Sequence, residues 1–184
     1  MGRVNRASDQ REPAPVDADL LERLVTEHGP ALELFAAQWT DAPEDSVQEA
    51  LLQLVRQSQP PERVVPWLYR VVRNLSVSAA RRKSRQRRHE AAAAGARPPW
   101  FRTDAGGAID ADTLTAALAS LSDQHREVIV ARVWGGLTFE QIAEVVGYSS
   151  SSAHRRYVEG LEQLRIAIGV PCPNEKNRKW IASS

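Results

Sequence analysis

Apolar side chains recur along this chain at intervals of three and four residues, and no segment alternates with a period of two. That regularity confines the fold to packed helices, because a half-buried strand needs strict alternation. Leu20, Leu21, Leu24 and Val25 form one stripe, and Leu32, Phe35 and Ala36 form another after Gly29-Pro30. Proline suits a first helical turn, so the spacing predicts two short helices or one kinked helix. Asp41 stands ahead of Pro43 and Glu44 and is expected to cap a helix bearing Val47, Leu51, Leu54 and Val55. After Gln59-Pro60-Pro61, Pro66 is expected to start a long helix with Trp67, Leu68, Val71, Val72 and Leu75 on its apolar face. That helix runs into Arg81 to Arg88, where six of eight side chains are cationic.

A second helical block follows a break. Residues 90–110 hold an alanine run, Pro98-Pro99 and Gly106-Gly107 without sustained periodicity, which is linker composition. Leu114, Leu118 and Leu121 then mark a helix, and Ser122 caps the next, which carries Val128, Ile129 and Val133 and stops at Gly135-Gly136. Thr138 with Gln141 makes a capping box for a short helix, Phe139 to Val146, closed by Gly147. Ser149 opens the last helix, with Ala153, Tyr157, Leu161, Leu164 and Ile168 facing inward. The expected fold class is all-α: two small helical domains, 17–89 and 111–169, joined by a flexible linker over 90–110. Residues 1–16 read as a flexible leader, and the tail, 170–184, has no assigned role.

Composition excludes several functions. A formal net charge of +1 gives no global case for a nucleic-acid partner, so any such case rests on local charge. Cys172 is the lone cysteine, which rules out an internal disulfide framework, and His28, His89, His125 and His154 are too scattered for a zinc motif. Asp45 and Glu49 share a helix face at i, i+4, but no further ligand at metal spacing accompanies them. The chain is therefore expected to hold no metal, no cofactor and no catalytic residues. The N-terminus lacks the apolar core of a signal peptide, and no apolar run approaches the ~20 residues of a membrane span, so a cytoplasmic protein without membrane insertion is expected.

Thr138 to Arg165 has the layout of a helix-turn-helix: a capped two-turn helix, a glycine turn, then a longer helix beginning with small polar residues. Small side chains at a helix N-terminus let backbone N–H groups approach phosphates, while the next turn offers longer side chains to base edges. The candidates for DNA contact are Ser150, Ser151, Ser152, His154, Arg155 and Arg156. An ordinary helical hairpin with a basic solvent face fits the same pattern. In the first block, Asp45, Gln48, Glu49 and Gln53 form an acidic face suited to a basic partner, or simply to solvent. Trp67, Tyr69, Arg70, Arg73 and Asn74 mix aromatic and cationic groups on one helix, a combination that stacks unpaired bases and neutralises phosphates. Trp67 serves equally well in a core, whereas Arg70, Arg73 and Asn74 are expected to face outward. The Arg81 to Arg88 run suits a phosphate-binding extension, an exposed helix end or a tether.

Two strings resemble a known family. ALASLSDQHREVIVARVWGGLTFEQIAEVVGYSSSSAHRRYVEGLEQLR is similar to the fourth domain of bacterial sigma factors, with its leucine, "REV", "GLTFEQIAE" and recognition helices in order. PEDSVQEALLQL followed by PWLYRVVRNLSVSAARRKSRQRR resembles their second domain. Two such domains with no third between them look like the small extracytoplasmic-function (ECF) type of the sigma-70 family. The resemblance implies a protein that binds core RNA polymerase and directs it to promoters. It places Asp45, Gln48, Glu49 and Gln53 against the beta-prime clamp helices, and the fourth domain against the beta flap. It places Arg63, Arg70, Arg73, Asn74, Arg81 and Arg82 at the minus-ten element, with the loop Ser58 to Val65 beside the melted non-template strand. It gives the recognition helix to the minus-thirty-five element and leaves room for an anti-sigma factor. Ser149 to Ser152 then Ala153-His154 replace the glycine-threonine-valine-lysine sequence frequent in relatives, and Pro66 replaces an alanine. A helix-turn-helix regulator acting without polymerase is the alternative, but it leaves the first domain without a role.

Overall fold

A computed structural model describes residues 16–89 and 111–170, which form seven α-helices and no strand among them. The first domain contains α1 (Ala18–Ala36), α2 (Pro43–Val55) and α3 (Val64–His89). The second contains α4 (Ala111–Ser120), α5 (Asp123–Val133), α6 (Phe139–Val146) and α7 (Ser150–Ala167). The expected leader (except Val16), the linker over 90–110 and the tail beyond Val170 lie outside the described residues.

Local chemistry explains most boundaries. Asp17 caps α1, its carboxylate accepting from the Leu20 backbone N–H at 2.7 Å. The helix continues through Pro30 as one element, which settles the open choice between two helices and one. An interior proline forfeits the bond to the carbonyl four residues earlier, on Thr26. Thr26 and Pro30 are both exposed, so solvent replaces that bond, while Leu24, Leu32 and Phe35 on either side share one core. Asp41 does not cap α2: the N-cap is Ala42, without a side-chain bond, and the Asp41 carboxylate pairs with Lys83 of α3 instead. A cationic side chain from a distant helix outcompetes the local cap. The helix α3 begins two residues before Pro66, so the proline falls within the first turn, where its missing N–H costs nothing.

Phe35, Leu54, Leu68, Tyr69 and Val72 are fully buried and join the three helices of the first domain. Phe35 meets Tyr69 and Trp39 edge-on, with ring centroids 5.1 and 5.2 Å apart. Tyr69, read above as a stacking candidate for bases, is therefore a core residue. Its apolar surroundings push the phenol well above its ordinary pKa through burial.

The two domains pack against each other. One continuous core runs from Leu24, Phe35, Tyr69 and Val72 into Val128, Val130, Ala131, Leu137 and Ile142. Contacts join α3 to α6 and α1 to α5 across the seam. A smaller cluster of Leu118, Leu121 and Ile129 holds α4 against α5 and α7. Helix α5 is buried on nearly every side, with Arg126 through Ala131 all inaccessible, which is why it shows no single apolar stripe. Gly135 sits where the second domain meets Tyr69 of the first. A methyl group there would come within 2.6 Å of the Ala131 carbonyl oxygen and 2.7 Å of the Tyr69 hydroxyl. Replacement of Gly135 by Ala should therefore lower stability by about 1–3 kcal/mol, the usual cost of overpacking, in urea denaturation followed by circular dichroism. An unchanged midpoint would show that the Tyr69 hydroxyl does not lie against the backbone at Gly135.

Candidate nucleic-acid and polymerase interfaces

The helix-turn-helix is assembled by three local devices. The Thr138 hydroxyl accepts from the Gln141 backbone N–H at 3.3 Å while the Gln141 side chain accepts from the Thr138 N–H at 2.8 Å, closing the expected capping box. Gly147 ends α6 with φ of 79°, a left-handed conformation that favours glycine. Ser149 caps α7, accepting from the Ser152 N–H at 3.2 Å, and its hydroxyl also donates to Ser152 Oγ at 2.9 Å. Ala153 is fully buried and Tyr157 half-buried, as the spacing requires. Phe139 locks the pair, meeting His154 at 4.9 Å and Tyr157 at 5.5 Å edge-on, with the Arg132 guanidinium 5.0 Å from its ring.

These contacts sort the candidate residues on α7. Ser151, His154 and Arg155 are exposed, and Ser150, Ser152 and Arg156 are half-buried. Part of the hydroxyl capacity of Ser151 and Ser152 is already engaged with Ser149. Arg155 is the freer of the two arginines: its side chain is 67% exposed, with only a long 3.9 Å approach to Glu159. Arg156 is held, its guanidinium 3.9 Å over the Tyr148 ring and its Nε donating to Gln124 at 3.1 Å. Neither Tyr148 nor Gln124 was legible as a functional residue, since both act through a partner from another helix.

On α3, Arg70, Asn74, Arg81 and Arg82 are exposed, as expected. Trp67 is half-buried, intermediate between its two readings. Arg73 departs from expectation. Its guanidinium grips Glu127 of α5 with both oxygens, Nε to Oε1 at 2.7 Å and Nη2 to Oε2 at 3.2 Å. The Arg73 side chain is 25% exposed and that of Glu127 only 3%. Burial raises the Glu127 carboxyl above the usual carboxylate range, and the bidentate bond and charge of Arg73 pull it back. Arg63, in the loop before α3, pairs with Glu144 of α6. A concavity of about 140 Å³ opens here, lined by Pro61, Glu62, Arg63, Pro66, Trp67, Arg70 and Glu144.

The acidic face of α2 is exposed at Asp45 and Gln48 and half-exposed at Glu49 and Gln53. Gln53 donates to Glu49 at 3.1 Å, fixing two of the four. Leu52 and Val55 stand beside them at 43% and 49% exposure, so the face mixes carboxylates with uncovered apolar surface. Glu33 of α1 lies near Glu44 at its edge, and burial together with that like charge raises its carboxyl. No group of three or more His, Cys, Asp or Glu side chains is placed to hold a metal among the described residues, and no described helix is long and apolar enough to cross a membrane.

A two-domain helical protein whose second domain presents a capped helix-turn-helix has the architecture that many DNA-binding proteins use. Comparison with known proteins narrows this. Residues 24–86 match sigma-70 region 2, and residues 117–165 match sigma-70 region 4. The chain is 31% identical over 161 residues to the RNA polymerase sigma factor CarQ of Myxococcus xanthus, covering 82% of this chain and 90% of that protein. It is 30% identical over 166 residues to the ECF RNA polymerase sigma factor SigL of Mycobacterium tuberculosis, covering 84% and 92%. Among solved structures, the fold is similar to the sigma factor RpoE in complex with the anti-sigma factor NepR from Bartonella quintana, with a TM-score of 0.71 at 22% identity, covering 84% of this chain and 99% of that one. It is also similar to CnrH in complex with the cytosolic domain of CnrY, with a TM-score of 0.57 at 19% identity, covering 85% and 92%. The chain belongs to the extracytoplasmic-function sigma factors of the sigma-70 family, and it is a sigma factor that partners with core RNA polymerase and promoter DNA to direct transcription initiation.

The cap at Ser149 is the contact that fixes where α7 begins. Ser149→Ala should cost about 0.5–2 kcal/mol of stability by removing a side-chain N-cap, read as a lowered midpoint in urea denaturation. An unchanged midpoint would show that the recognition helix starts independently of this serine.

Proposed function

We propose that residues 17–89 bind core polymerase and the minus-ten element, that residues 111–169 bind the minus-thirty-five element, and that the chain acts by recognition alone, with no catalytic step of its own. It works in the cytoplasm, where promoter DNA and polymerase are found. The observation that carries the DNA assignment is Arg155, exposed on the first turns of a serine-capped helix whose opposite side is locked into the core. Arg155 reads a base edge, Arg156 is positioned by Tyr148 to meet a phosphate or base beside it, and Ser150, Ser151, Ser152 and His154 line the backbone. Arg63, Arg70, Arg73, Asn74, Arg81 and Arg82 serve the minus-ten region. Trp67 and Arg70 flank the concavity before α3, a combination of ring and cation suited to an unpaired base. Asp45, Gln48, Glu49 and Gln53 dock on the beta-prime clamp helices, the exposed Leu52 and Val55 extending that face, and the second domain meets the beta flap. An anti-sigma factor is a further partner, since the RpoE structure above is held in such a complex.

Run-off transcription with cognate core polymerase and a promoter-fragment library tests the whole assignment: specific transcripts that depend on the added protein are expected. Their absence with folded protein and active core would overturn it. Two substitutions test the residues. Charge reversal at Asp45 and Glu49 should weaken binding to core polymerase without loss of helical circular dichroism, and unfolding in place of weakened binding would show the face to be structural. Arg155→Ala should cost about 1–3 kcal/mol of upstream-element affinity and relax preference at one position, measured against promoter variants at two salt concentrations. A uniform loss across all variants would make Arg155 a phosphate contact instead.

A further inference from the structure

We propose that the first turn of α5 is a positioning shelf for the recognition helix: Gln124 aims Arg156, and His125 aims Arg155 through Glu159, so that a turn outside the helix-turn-helix sets how sharply the upstream element is read. It rests on the assignment of α7 to the minus-thirty-five element.

Both arginines are met at Nε. The Nε of Arg156 donates to Gln124 Oε1 at 3.1 Å, and its guanidinium lies 3.9 Å from the Tyr148 ring centroid. The Nε of Arg155 lies 3.9 Å from Glu159 Oε1, and the other carboxylate oxygen, Oε2, lies 3.4 Å from His125 Nε2. Gln163 meets the remaining ring nitrogen at 3.2 Å. Gln124 and His125 are neighbours on α5, and the Ser122 hydroxyl that caps this helix accepts from the His125 backbone N–H at 3.4 Å. Gly160 lets the two helices lie close: a methyl group there would stand 2.9 Å from Ile129 Cδ1 and 3.0 Å from His125 Cβ. The cap, the glycine and the ring contacts thus fix one carboxylate behind Arg155.

This chemistry supplies aim more than strength. An arginine reads guanine end-on with its terminal nitrogens, two parallel donors to O6 and N7. A partner at Nε leaves that fork free and restricts the rotations that sweep it, so an anchored Nε defines where the fork points. An exposed arginine–glutamate pair is ordinarily weak, because two long side chains must be ordered to form it. Here His125, with a side chain only 16% exposed, already orders the glutamate, and only the arginine has freedom to lose. A side chain held in place before DNA arrives gives up less entropy on its correct base and adapts less readily to a wrong one. Glu159 also brings negative charge to a surface that meets phosphate, which costs affinity for every sequence alike. Positioning therefore sharpens selection without strengthening binding.

The test measures binding of holoenzyme, reconstituted from the full-length chain and cognate core polymerase, to a promoter fragment recovered by run-off transcription and to its single-base variants across the upstream element. Arg155→Ala and Arg156→Ala first mark the position that each arginine reads. Glu159→Gln should then lower discrimination at the Arg155 position roughly threefold to tenfold, part of what a bidentate arginine–guanine pair supplies, while affinity for the fragment holds or rises. His125→Phe, which keeps a ring beside Gly160 but offers no nitrogen to Glu159, should relax the same position, and the two changes together should relax it no further than either alone. Gln124→Ala should relax the Arg156 position, and Gln124→Glu, which restores an acceptor for Nε, should recover it. Base preferences left intact by these variants, with affinity unchanged or uniformly shifted, would overturn the shelf and make its contacts structural. If His125→Phe loses helical circular dichroism, Glu159→Gln, at a half-exposed site, decides the Arg155 arm alone. A uniform loss from either arginine variant would make that arginine a phosphate contact and overturn its arm of the shelf. No effect from either would overturn the shelf together with the assignment of α7, whereas arginine effects without effects at Gln124, His125 and Glu159 would overturn the shelf only.

Discussion

A carboxylate as deeply covered as that of Glu127 is expensive to keep ionised, and the arrangement of both domains follows from how this one is met. Removing a carboxylate from water costs several kcal/mol, and only a close, well-aligned cation recovers most of it. Glu127 lies in a helix whose neighbours Arg126, Val128, Ile129, Val130 and Ala131 are all buried. Arg73, from the other domain, supplies the bonded cation, with a smaller contribution from the charge of Arg156, and the Arg73 guanidinium is in turn placed 6.0 Å from the Trp39 ring that packs on Phe35. The aromatic core of the first domain and the buried helix of the second are thereby set in register. Gly135 then permits the Tyr69 hydroxyl to approach without a side chain between them.

The helix-turn-helix owes little to that long-range pair. Its geometry is fixed within about two dozen residues by bonds between a side chain and a backbone group three positions away, together with one left-handed glycine at 79°. Such devices are set by local sequence, and the inner side of the element, Ile142, Val145, Val146 and Ala153, joins the core that runs through both domains. Phe139 extends the same logic into packing, since a single ring braces Arg132, His154 and Tyr157.

This division explains what could be read in the sequence. The seven helices, the capping box at Thr138, the glycine turn and the inward side of α7 were legible because each depends on spacing or on a cap only a few residues long. The acidic face of α2 was legible for the same reason. The cap at Asp41, the stacking role of Tyr69 and the outward placement of Arg73 were misread because a residue from elsewhere in the fold engages each side chain: Lys83 takes the Asp41 carboxylate, Phe35 and Trp39 enclose Tyr69, and Glu127 draws Arg73 inward. A usable signal was present at Glu127, an acid followed by Val128, Ile129, Val130 and Ala131. A charge set against an unbroken apolar run is destined for burial and therefore for a cation, although the run does not say which one.

The same side chains thus carry two demands that pull in opposite directions. A promoter contact is best left exposed and unpaired, whereas an arginine at the edge of a small helical domain is best paired and covered. Arg70, Asn74, Arg81 and Arg82 meet the first demand, with open side chains along one helix, and Arg63 and Arg73 meet the second. A chain of two small domains gains stability by letting one core run through both, yet a fully apolar seam would hold them together permanently. The two charged pairs that cross the seam sit differently: Arg63–Glu144 lies half exposed at its open edge, and Arg73–Glu127 lies in its buried part, where the carboxylate depends on the guanidinium.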